Sequence, residues 1–269
     1  MAVDFSSIFS IAGKTALVTG GSRGIGEMIA AGLLAGGAKV YISSRKADVC
    51  NATAERLAAE YGGECISLPA DLSGVAGTEA LAAEIASRED KLDILINNAG
   101  ASWGAPIDEF PEAGWDKVMD TNVKGVFFLT QKLLPQLRAA GTAEDPARII
   151  NIGSIDGLQS SVFSVFSYGA SKAAVHHLTR FLANHLVKDN IICNAIAPGP
   201  YPTWMLSTGV GYGGETDGVD WDAIGGSNPR GRVGTPEDIA GLAIFLCSRA
   251  GAFVVGETIT SDGGVFNTR

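Results

Sequence analysis

Residues 19–26 read Thr19-Gly20-Gly21-Ser22-Arg23-Gly24-Ile25-Gly26, and they join an apolar run at 15–18 to a helical pattern at 24–34. Glycine allows a tight turn and lets a bound group approach the backbone closely. The N-terminus of the helix offers unpaired N–H groups and the positive end of its dipole. The stretch therefore predicts a phosphate-binding turn between a strand and a helix, although an ordinary glycine-rich turn gives the same pattern.

Short apolar runs alternate with longer helical patterns along the rest of the chain. This alternation predicts βαβ units, a parallel sheet and right-handed crossovers. The runs are apolar throughout, as expected when helices cover both faces of a sheet. We therefore predict an α/β fold, a doubly wound Rossmann-type parallel sheet whose ligand lies beyond the carboxyl ends of the strands. Strands are expected at 15–18, 39–43, 65–68, 92–96, 148–152, 191–196 and 258–260, and helices at 24–34, 48–61 (capped by Asp48), 77–88, 118–140, 168–187 and 236–247.

Composition limits the classes of protein that the chain can belong to. It has 269 residues, 46% of them apolar, which is ample for a large core, and no stretch reads as a linker or a repeat. We predict one domain over residues 1–269. The formal net charge of -9 argues against nucleic acid as a partner, because such binding draws on clustered lysine and arginine.

The cysteines and the apolar segments bear on the cellular compartment. The four cysteines are scattered without CxxC spacing, and we expect reduced thiols and a cytoplasmic protein. Residues 1–11 lack the basic start of a signal peptide. The most apolar late segment, 241–256, is too short to cross a bilayer, so we predict a soluble protein without membrane contact.

The end of the second predicted strand indicates which dinucleotide the turn would bind. A site for NAD places a carboxylate there, to bond the ribose hydroxyls. This chain reads Ser44-Arg45 instead, so nothing repels a 2′-phosphate, and Arg45 offers charge-assisted hydrogen bonds. Arg23 in the glycine turn can approach the same phosphate. The pattern favours NADP(H) over NAD(H), while a solvated charge is the alternative reading of Arg45.

Tyr168 and Lys172 are four residues apart and share one face of a predicted helix. A free tyrosine, with a pKa of about 10, is a poor acid or base near neutrality. A neighbouring ammonium favours phenolate, so we expect Lys172 to lower the pKa of Tyr168. Such a pair is often only a packing contact on a helix. Its significance here comes from Ser154, which follows an apolar strand, and from the glycine turn upstream.

Several further motifs accompany these residues, and with them the chain resembles the short-chain dehydrogenase/reductase family over nearly its whole length. The motifs are Asn97-Asn98-Ala99-Gly100, Thr121-Asn122-Val123-Lys124-Gly125, Ala70-Asp71-Leu72, Pro198-Gly199 with Thr203, the run from Arg232 to Asp238, and Asp262-Gly263-Gly264. Two extra prolines, Pro200 and Pro202, depart from the family pattern directly before Thr203.

The resemblance implies a catalytic tetrad of Asn122, Ser154, Tyr168 and Lys172 and a mechanism without metal. Tyr168 would donate a proton to the substrate oxygen while the nicotinamide delivers hydride to the carbon. Lys172 would hydrogen-bond the nicotinamide ribose, and Ser154 would hydrogen-bond the substrate oxygen. Asn122 would hold a water molecule that links Lys172 to solvent. The implied cofactor contacts are Gly20, Ser22, Arg23, Gly24, Ile25, Gly26, Ser44, Arg45, Asp71 (to adenine), Leu72, Asn98, Ala99, Gly100, Tyr168, Lys172, Pro198, Gly199 and Thr203 (to the carboxamide).

Three segments are expected to line the substrate pocket: 101–106, 155–166 and a lid at about 200–228. They supply mostly apolar side chains, which favours an apolar substrate over a sugar. The middle of the lid, 209–226, is glycine-rich and acidic, and we expect it to move over the substrate. The expected apolar lining residues are Trp103, Leu158, Val162, Phe163, Phe166, Trp204 and Met205.

By analogy, the closest likeness is to NADPH-dependent 3-oxoacyl reductases. Two alternatives stay open: an alcohol, steroid or polyol dehydrogenase that uses NAD(P), and a catalytically silent nucleotide-binding regulatory protein. We read His176, His177 and His185 as structural or interface residues rather than metal ligands. Leu178, Phe181 and Leu182 add an apolar stripe to the same helix, and the family suggests pairing of subunits through it, giving a dimer or a homotetramer.

Overall fold

The computed structural model describes residue 5, residues 7–209 and residues 219–268. Within these ranges seven strands form one sheet in the order β3-β2-β1-β4-β5-β6-β7, with every pairing parallel. The predicted α/β, doubly wound sheet is confirmed. The strands are β1 (Thr15–Thr19), β2 (Lys39–Ser43), β3 (Cys65–Ser67), β4 (Ile94–Asn97), β5 (Ala147–Ile152), β6 (Ile191–Pro198) and β7 (Thr258–Ser261).

Helices cover both faces of the sheet and bury two separate apolar layers. One layer joins the strands to α1, α2 and α9, and the other joins them to α3, α5 and α6. Long helices thus protect strands that are apolar on both sides. The helices are α1 (Gly24–Ala35), α2 (Ala47–Tyr61), α3 (Val75–Arg88), α4 (Glu112–Met119), α5 (Gly125–Ala140), α6 (Phe166–Leu186), α7 (Trp204–Gly209), α8 (Trp221–Gly226) and α9 (Pro236–Cys247).

Three details differ from the sequence-based expectation. The single helix predicted at 118–140 is two helices, α4 and α5, joined by the π-helical turn Asp120–Lys124. Asp48 does not cap α2, because the helix begins one residue earlier and Asp48 lies in its first turn. The strand predicted from Leu92 begins at Ile94, since the N–H of Leu92 bonds the carbonyl of Gln136 at 3.0 Å instead of a neighbouring strand.

The predicted motifs follow the carboxyl ends of β1, β2, β4, β5 and β6, which meet at one edge of the sheet. The central part of the predicted lid, residues 210–218, lies outside the described residues. Of the two helices that flank it, α7 and α8, the sequence predicted neither. Among the described residues, no helix is long and apolar enough to cross a membrane.

Candidate active site

The glycine turn is held in place by Asn98 from the neighbouring strand end. Its side-chain amide donates to the carbonyl oxygens of Thr19 (2.9 Å) and Gly20 (3.2 Å). Gly20 has a φ of 64°, a left-handed conformation that favours glycine. A Cβ on Gly26 would overlap the Gly20 carbonyl and the Asn98 amide. The close packing therefore requires glycine at positions 20 and 26, and both of the Asn98 amide's hydrogen bonds are made to the turn.

The start of α1 is suited to phosphate. Arg23 is the N-cap residue, and its side chain does not cap the helix, so within the described part of the chain the first N–H groups receive no hydrogen bond from the N-cap side chain. The Thr53 hydroxyl of α2 donates to the Ser22 carbonyl at 3.1 Å and so links the turn to α2. Ser22 is buried, whereas Gly24 and Ile25 are half-buried. This cradle fits a dinucleotide pyrophosphate, and sequence reasoning missed the contribution of Thr53.

Thr19 organises the next loop. Its hydroxyl accepts the N–H groups of Asn98 (2.9 Å) and Ala99 (3.0 Å) and donates to the carbonyl of Ile96 (3.2 Å). A Cβ on Gly100 would lie 3.5 Å from Asn122 Oδ1 and 3.8 Å from Lys172 Nζ. The loop after β4 thus runs from the glycine turn to two of the predicted catalytic residues.

The end of β2 carries no carboxylate, as the sequence indicated. Ser44 is half-buried and Arg45 is exposed. Arg23 is exposed as well, and its guanidinium lies 4.5 Å from the ring centroid of Trp204, the first residue of α7. The region therefore offers two solvent-accessible cations where a ribose 2′-phosphate would lie.

The remaining predicted cofactor contacts lie after β3 and β6. Asp71 is exposed and accepts the N–H of Ser73 at 3.0 Å, while Leu72 is buried and its carbonyl packs on the first turn of α5. Gly199 follows Pro198 and donates to the Ser261 carbonyl at 3.1 Å. The Thr203 hydroxyl accepts the N–H of Leu206 at 3.2 Å and so caps α7.

Tyr168 and Lys172 lie on α6, facing Ser154 at the end of β5. Lys172 Nζ is 5.5 Å from the centre of the Tyr168 ring and donates to the carbonyl of Ile152 at 2.7 Å. The Ser154 hydroxyl accepts the N–H of Asp156 at 3.2 Å and caps the short 3₁₀ turn Ile155–Gly157. The structure thus brings together a phenol, an ammonium and a hydroxyl from two elements.

Burial determines the pKa values of this pair. It raises the pKa of Tyr168 to about 12, with the nearby Asp156 carboxylate adding to the rise and a Ser154 hydrogen bond opposing it. Burial also lowers the pKa of Lys172 to about 8. The expectation that Lys172 lowers the pKa of Tyr168 is wrong for this structure, because Lys172 directs a hydrogen bond to the Ile152 carbonyl and burial dominates both groups.

Asn122 lies in the π-helical turn between α4 and α5, where its side chain is locked. Its carbonyl oxygen accepts the N–H of Ala101 at 2.7 Å, and its amide donates to the Ala101 carbonyl at 3.0 Å and the Ser171 hydroxyl at 2.9 Å. Single π-helical turns are common at functional sites. Ser171, next to Lys172, is a supporting residue that sequence reasoning missed.

The predicted pocket residues differ in how firmly they are held. Trp103 packs on Gly114 of α4, with Lys117 Nζ 5.2 Å from its ring centroid. Phe166 makes an edge contact with Phe110 at 5.8 Å between centroids. Other members are more open to solvent: Val162 is 93% exposed and Trp204 51%. Leu158, Phe163 and Met205 are half-buried.

The three histidines separate into two environments. His177 and His185 are exposed and contact the ring of Phe181. His176 is buried directly behind Ser154. In the part of the chain that the structure describes, no group of three or more His, Cys, Asp and Glu residues is placed to hold a metal ion.

Comparison with known proteins agrees with this geometry. A family model described as "Enoyl-(Acyl carrier protein) reductase" matches residues 20–266. The chain is 49% identical over 256 residues to the rhamnolipids biosynthesis 3-oxoacyl-[acyl-carrier-protein] reductase of Pseudomonas aeruginosa, covering 95% of this chain and 97% of that protein. It is 38% identical over 259 residues to a 2-dehydro-3-deoxy-D-gluconate 5-dehydrogenase of Dickeya dadantii, covering 95% and 96%.

Among solved structures, the Pseudomonas aeruginosa RhlG/NADP active-site complex matches with a TM-score of 0.88 and 49% identity, over 96% of this chain and 98% of that one. The chain belongs to the short-chain dehydrogenase/reductase family. It is an oxidoreductase, and its cofactor is NADP(H). The silent regulatory protein left open by the sequence is thereby set aside.

Proposed function

We propose that the enzyme reduces the carbonyl of a 3-oxoacyl thioester, or a similar apolar ketone, to a secondary alcohol with NADPH. The observation that carries the proposal is the placement of Tyr168, Lys172 and Ser154 at the strand ends beside the phosphate cradle. The acyl substrate is supported by the mostly apolar side chains near this edge. It is also supported by the 49% identity to a 3-oxoacyl reductase.

Each residue of the tetrad has a role that follows from its contacts. When bound, NADP(H) supplies the hydride that the carbonyl carbon accepts. Tyr168, protonated because burial raises its pKa to about 12, donates its phenolic proton to the substrate oxygen. Ser154 donates a hydrogen bond to the same oxygen. Lys172, which donates to the Ile152 carbonyl, would also bond the nicotinamide ribose, and Asn122 fixes the loop at Ala101 beside it.

The same strand ends would hold the cofactor. The N–H groups at the start of α1 would bind the pyrophosphate, in a turn shaped by Gly20 and Gly26. Arg23 and Arg45 would bind the 2′-phosphate. The remaining contacts would come from Ser22, Gly24, Ile25, Ser44, Asp71, Leu72, Asn98, Ala99, Gly100, Pro198, Gly199 and Thr203.

The first experiment is NADPH consumption by the purified protein with a medium-chain 3-oxoacyl thioester, with NADH as the paired control. Rapid turnover with NADPH alone is expected. Thioesters on a small pantetheine analogue and on acyl carrier protein should be compared, because the acidic residues Asp220 and Asp222 lie in the predicted lid and disfavour an anionic carrier. Turnover of a keto-sugar acid but of no thioester would contradict the acyl substrate and favour the sugar-acid chemistry of the 38% identical relative.

Replacement of Tyr168 by phenylalanine tests the chemistry itself. Tyr168→Phe keeps the ring and removes the proton donor, so turnover should fall by at least about a hundredfold. Binding of NADPH, followed by its fluorescence, should stay close to that of the native enzyme. Full activity in this variant would overturn the assigned role of Tyr168.

Replacement of Ser44 tests how the 2′-phosphate is selected. Ser44→Asp places a carboxylate where the phosphate would lie, and KM for NADPH should rise by about tenfold or more while KM for NADH changes little. Ser44→Asn serves as the matched control, because asparagine has nearly the same volume as aspartate but carries no charge. If the ratio of the KM values for NADPH and NADH were unchanged in Ser44→Asp, the 2′-phosphate would have to bind elsewhere.

Two further properties belong to this proposal. The enzyme is cytoplasmic, an inference supported by free thiols at all four cysteines. It is a homo-oligomer, a dimer or a tetramer, that pairs through α6 and the adjoining ends of α4 and α5. An apolar groove of about 330 Å³ on this face supports that inference; it is lined by Met119, Asp120, Val123, Lys124, Phe127, Phe128 and Leu178.

A further inference from the structure

His176 lies on α6 one turn beyond Lys172, and it is only 4% exposed. Its imidazole packs directly on the backbone that carries Ser154. A Cβ on Gly153 would overlap His176 Nε2, and a Cβ on Gly157 would lie 2.9 Å from its Cε1. The ring therefore fills the space between α6 and the segment that begins at the end of β5.

The contact between His176 and Ser154 is a hydrogen bond as well as a packing contact. The backbone N–H of Ser154 donates to His176 Nε2 at 3.4 Å. An imidazole nitrogen that accepts a hydrogen bond carries no proton, so this hydrogen bond requires a neutral ring with its proton on Nδ1.

The surroundings keep the ring in this neutral form. Burial lowers the pKa of His176 to about 4, and the charges of Lys172 and Arg180 lower it further, while the backbone of Gly157 opposes the shift. At neutral pH the ring is therefore an acceptor and not a cation. A cation at this position would repel the Ser154 N–H and also lie beside Lys172.

We propose that His176 is a positioning residue for Ser154: its neutral imidazole holds the Ser154 backbone, so that the serine hydroxyl points at the substrate oxygen. The inference rests on the function proposed above, because it acts through the role of Ser154 in carbonyl reduction. Loss of the acceptor frees the segment Gly153–Gly157, and small displacements of a catalytic group lower kcat strongly. NADPH binding does not depend on this contact.

The test compares two replacements of His176 with a matched control. His176→Gln keeps an acceptor at about the reach of Nε2, whereas His176→Leu fills the space without one. His177→Leu is the control, because His177 is the exposed neighbour on the same helix. Activity is measured with whichever carbonyl compound the native enzyme reduces with NADPH. We expect kcat to fall by about tenfold or more in His176→Leu, and by less than about threefold in His176→Gln and His177→Leu.

A double-mutant cycle separates positioning from general damage to the fold. In a Ser154→Ala background, His176→Leu should change kcat by less than about twofold, because the group that it positions is already absent. The dissociation constant for NADPH should stay within about twofold throughout. An equal loss of kcat with and without Ser154 would overturn the proposal. No turnover by the native enzyme would instead contradict the proposed function.

A measurement on the native protein covers the case in which His176→Leu does not fold. Nitrogen NMR of the protein with ¹⁵N-labelled histidine distinguishes the two neutral tautomers, and the signals of His176 are those that disappear in His176→Gln. We expect a protonated Nδ1 and an unprotonated Nε2 at neutral pH. A proton on Nε2 would overturn the proposal, since that nitrogen then has no lone pair for the Ser154 N–H.

Discussion

Lys172 is a cation held almost entirely out of water. It is 5% exposed, and its ammonium donates to the carbonyl of Ile152 at 2.7 Å. A single carbonyl does not replace full hydration, which is why burial lowers its pKa to about 8. Tyr168, beside it, keeps its proton to higher pH because its pKa is raised to about 12. Near neutrality the pair is therefore a neutral phenol and a charged amine, the state that suits proton donation to a substrate.

The pH dependence of reduction should follow Lys172. Its lowered pKa means that charge is lost as pH rises through about 8, so kcat/KM for the ketone should decline above that pH. Lys172→Arg keeps its charge at any accessible pH, so its kcat/KM should show no decline up to about pH 10, even if the maximal rate is lower. Steady-state rates between pH 6 and 10 measure this. If kcat/KM declined at the same pH in the native enzyme and in Lys172→Arg, the decline would be due to another titrating group.

At the scale of elements, Arg148 ties strand β5 to the end of helix α9. The side chain is fully buried, and its guanidinium donates to the carbonyls of Leu246 (3.1 Å), Ser248 (3.0 Å) and Pro146. It also pairs with Asp145 at 3.3 Å. The last carbonyls of a helix need donors, and here a distant strand supplies them. Nothing local in the sequence of α9 indicates this partner.

Loss of Arg148 should destabilise the fold more than loss of an exposed arginine. Arg148→Met leaves several buried carbonyls without a donor, and we expect the free energy of unfolding to fall by about 3 kcal/mol. Arg138→Met is the matched control, because Arg138 pairs with Asp189 at the surface and its loss should cost less than about 1 kcal/mol. Urea unfolding measures both, and equal losses would contradict the assigned role of the buried guanidinium.

At the scale of the whole molecule, the outer sides of α5 and α6 expose large apolar side chains. Phe181 on α6 is 55% exposed and lies between the rings of His177 and His185. The groove on the same side is lined by Phe127, Phe128 and Leu178. Large apolar surface of this kind is typical of contacts between subunits. The same helix carries Tyr168 and Lys172, so pairing through α6 would also stabilise the catalytic helix.

A charge on this face should prevent pairing. Phe181→Glu would place a carboxylate in the proposed interface, and we expect a smaller particle by light scattering after size-exclusion chromatography. Val49→Glu, at a partly exposed apolar position on α2, is the matched control and should leave the oligomer intact. An unchanged mass in Phe181→Glu would place the interface elsewhere or show that the protein is a monomer.

The alternation of strands and helices and the order of the motifs were readable from the sequence, because they depend on local periodicity and on residues close together in the chain. The α/β class and the NADP(H) cofactor followed from those patterns. The position of the π-helical turn around Asn122 did not, since the turn is held by contacts with Ala101 and Ser171, which are distant in the sequence.

Three features were decided only by the tertiary structure. His176 meets Ser154 across 22 residues of chain, and Arg148 meets Leu246 across 98. The pKa values of Tyr168, which is half-buried, and of Lys172, which is buried, depend on the packing of the folded chain around them, and the sequence-based expectation for Tyr168 had the wrong direction. Sequence spacing places two groups on one helix face, but the protein packed around them determines their charge and their partners.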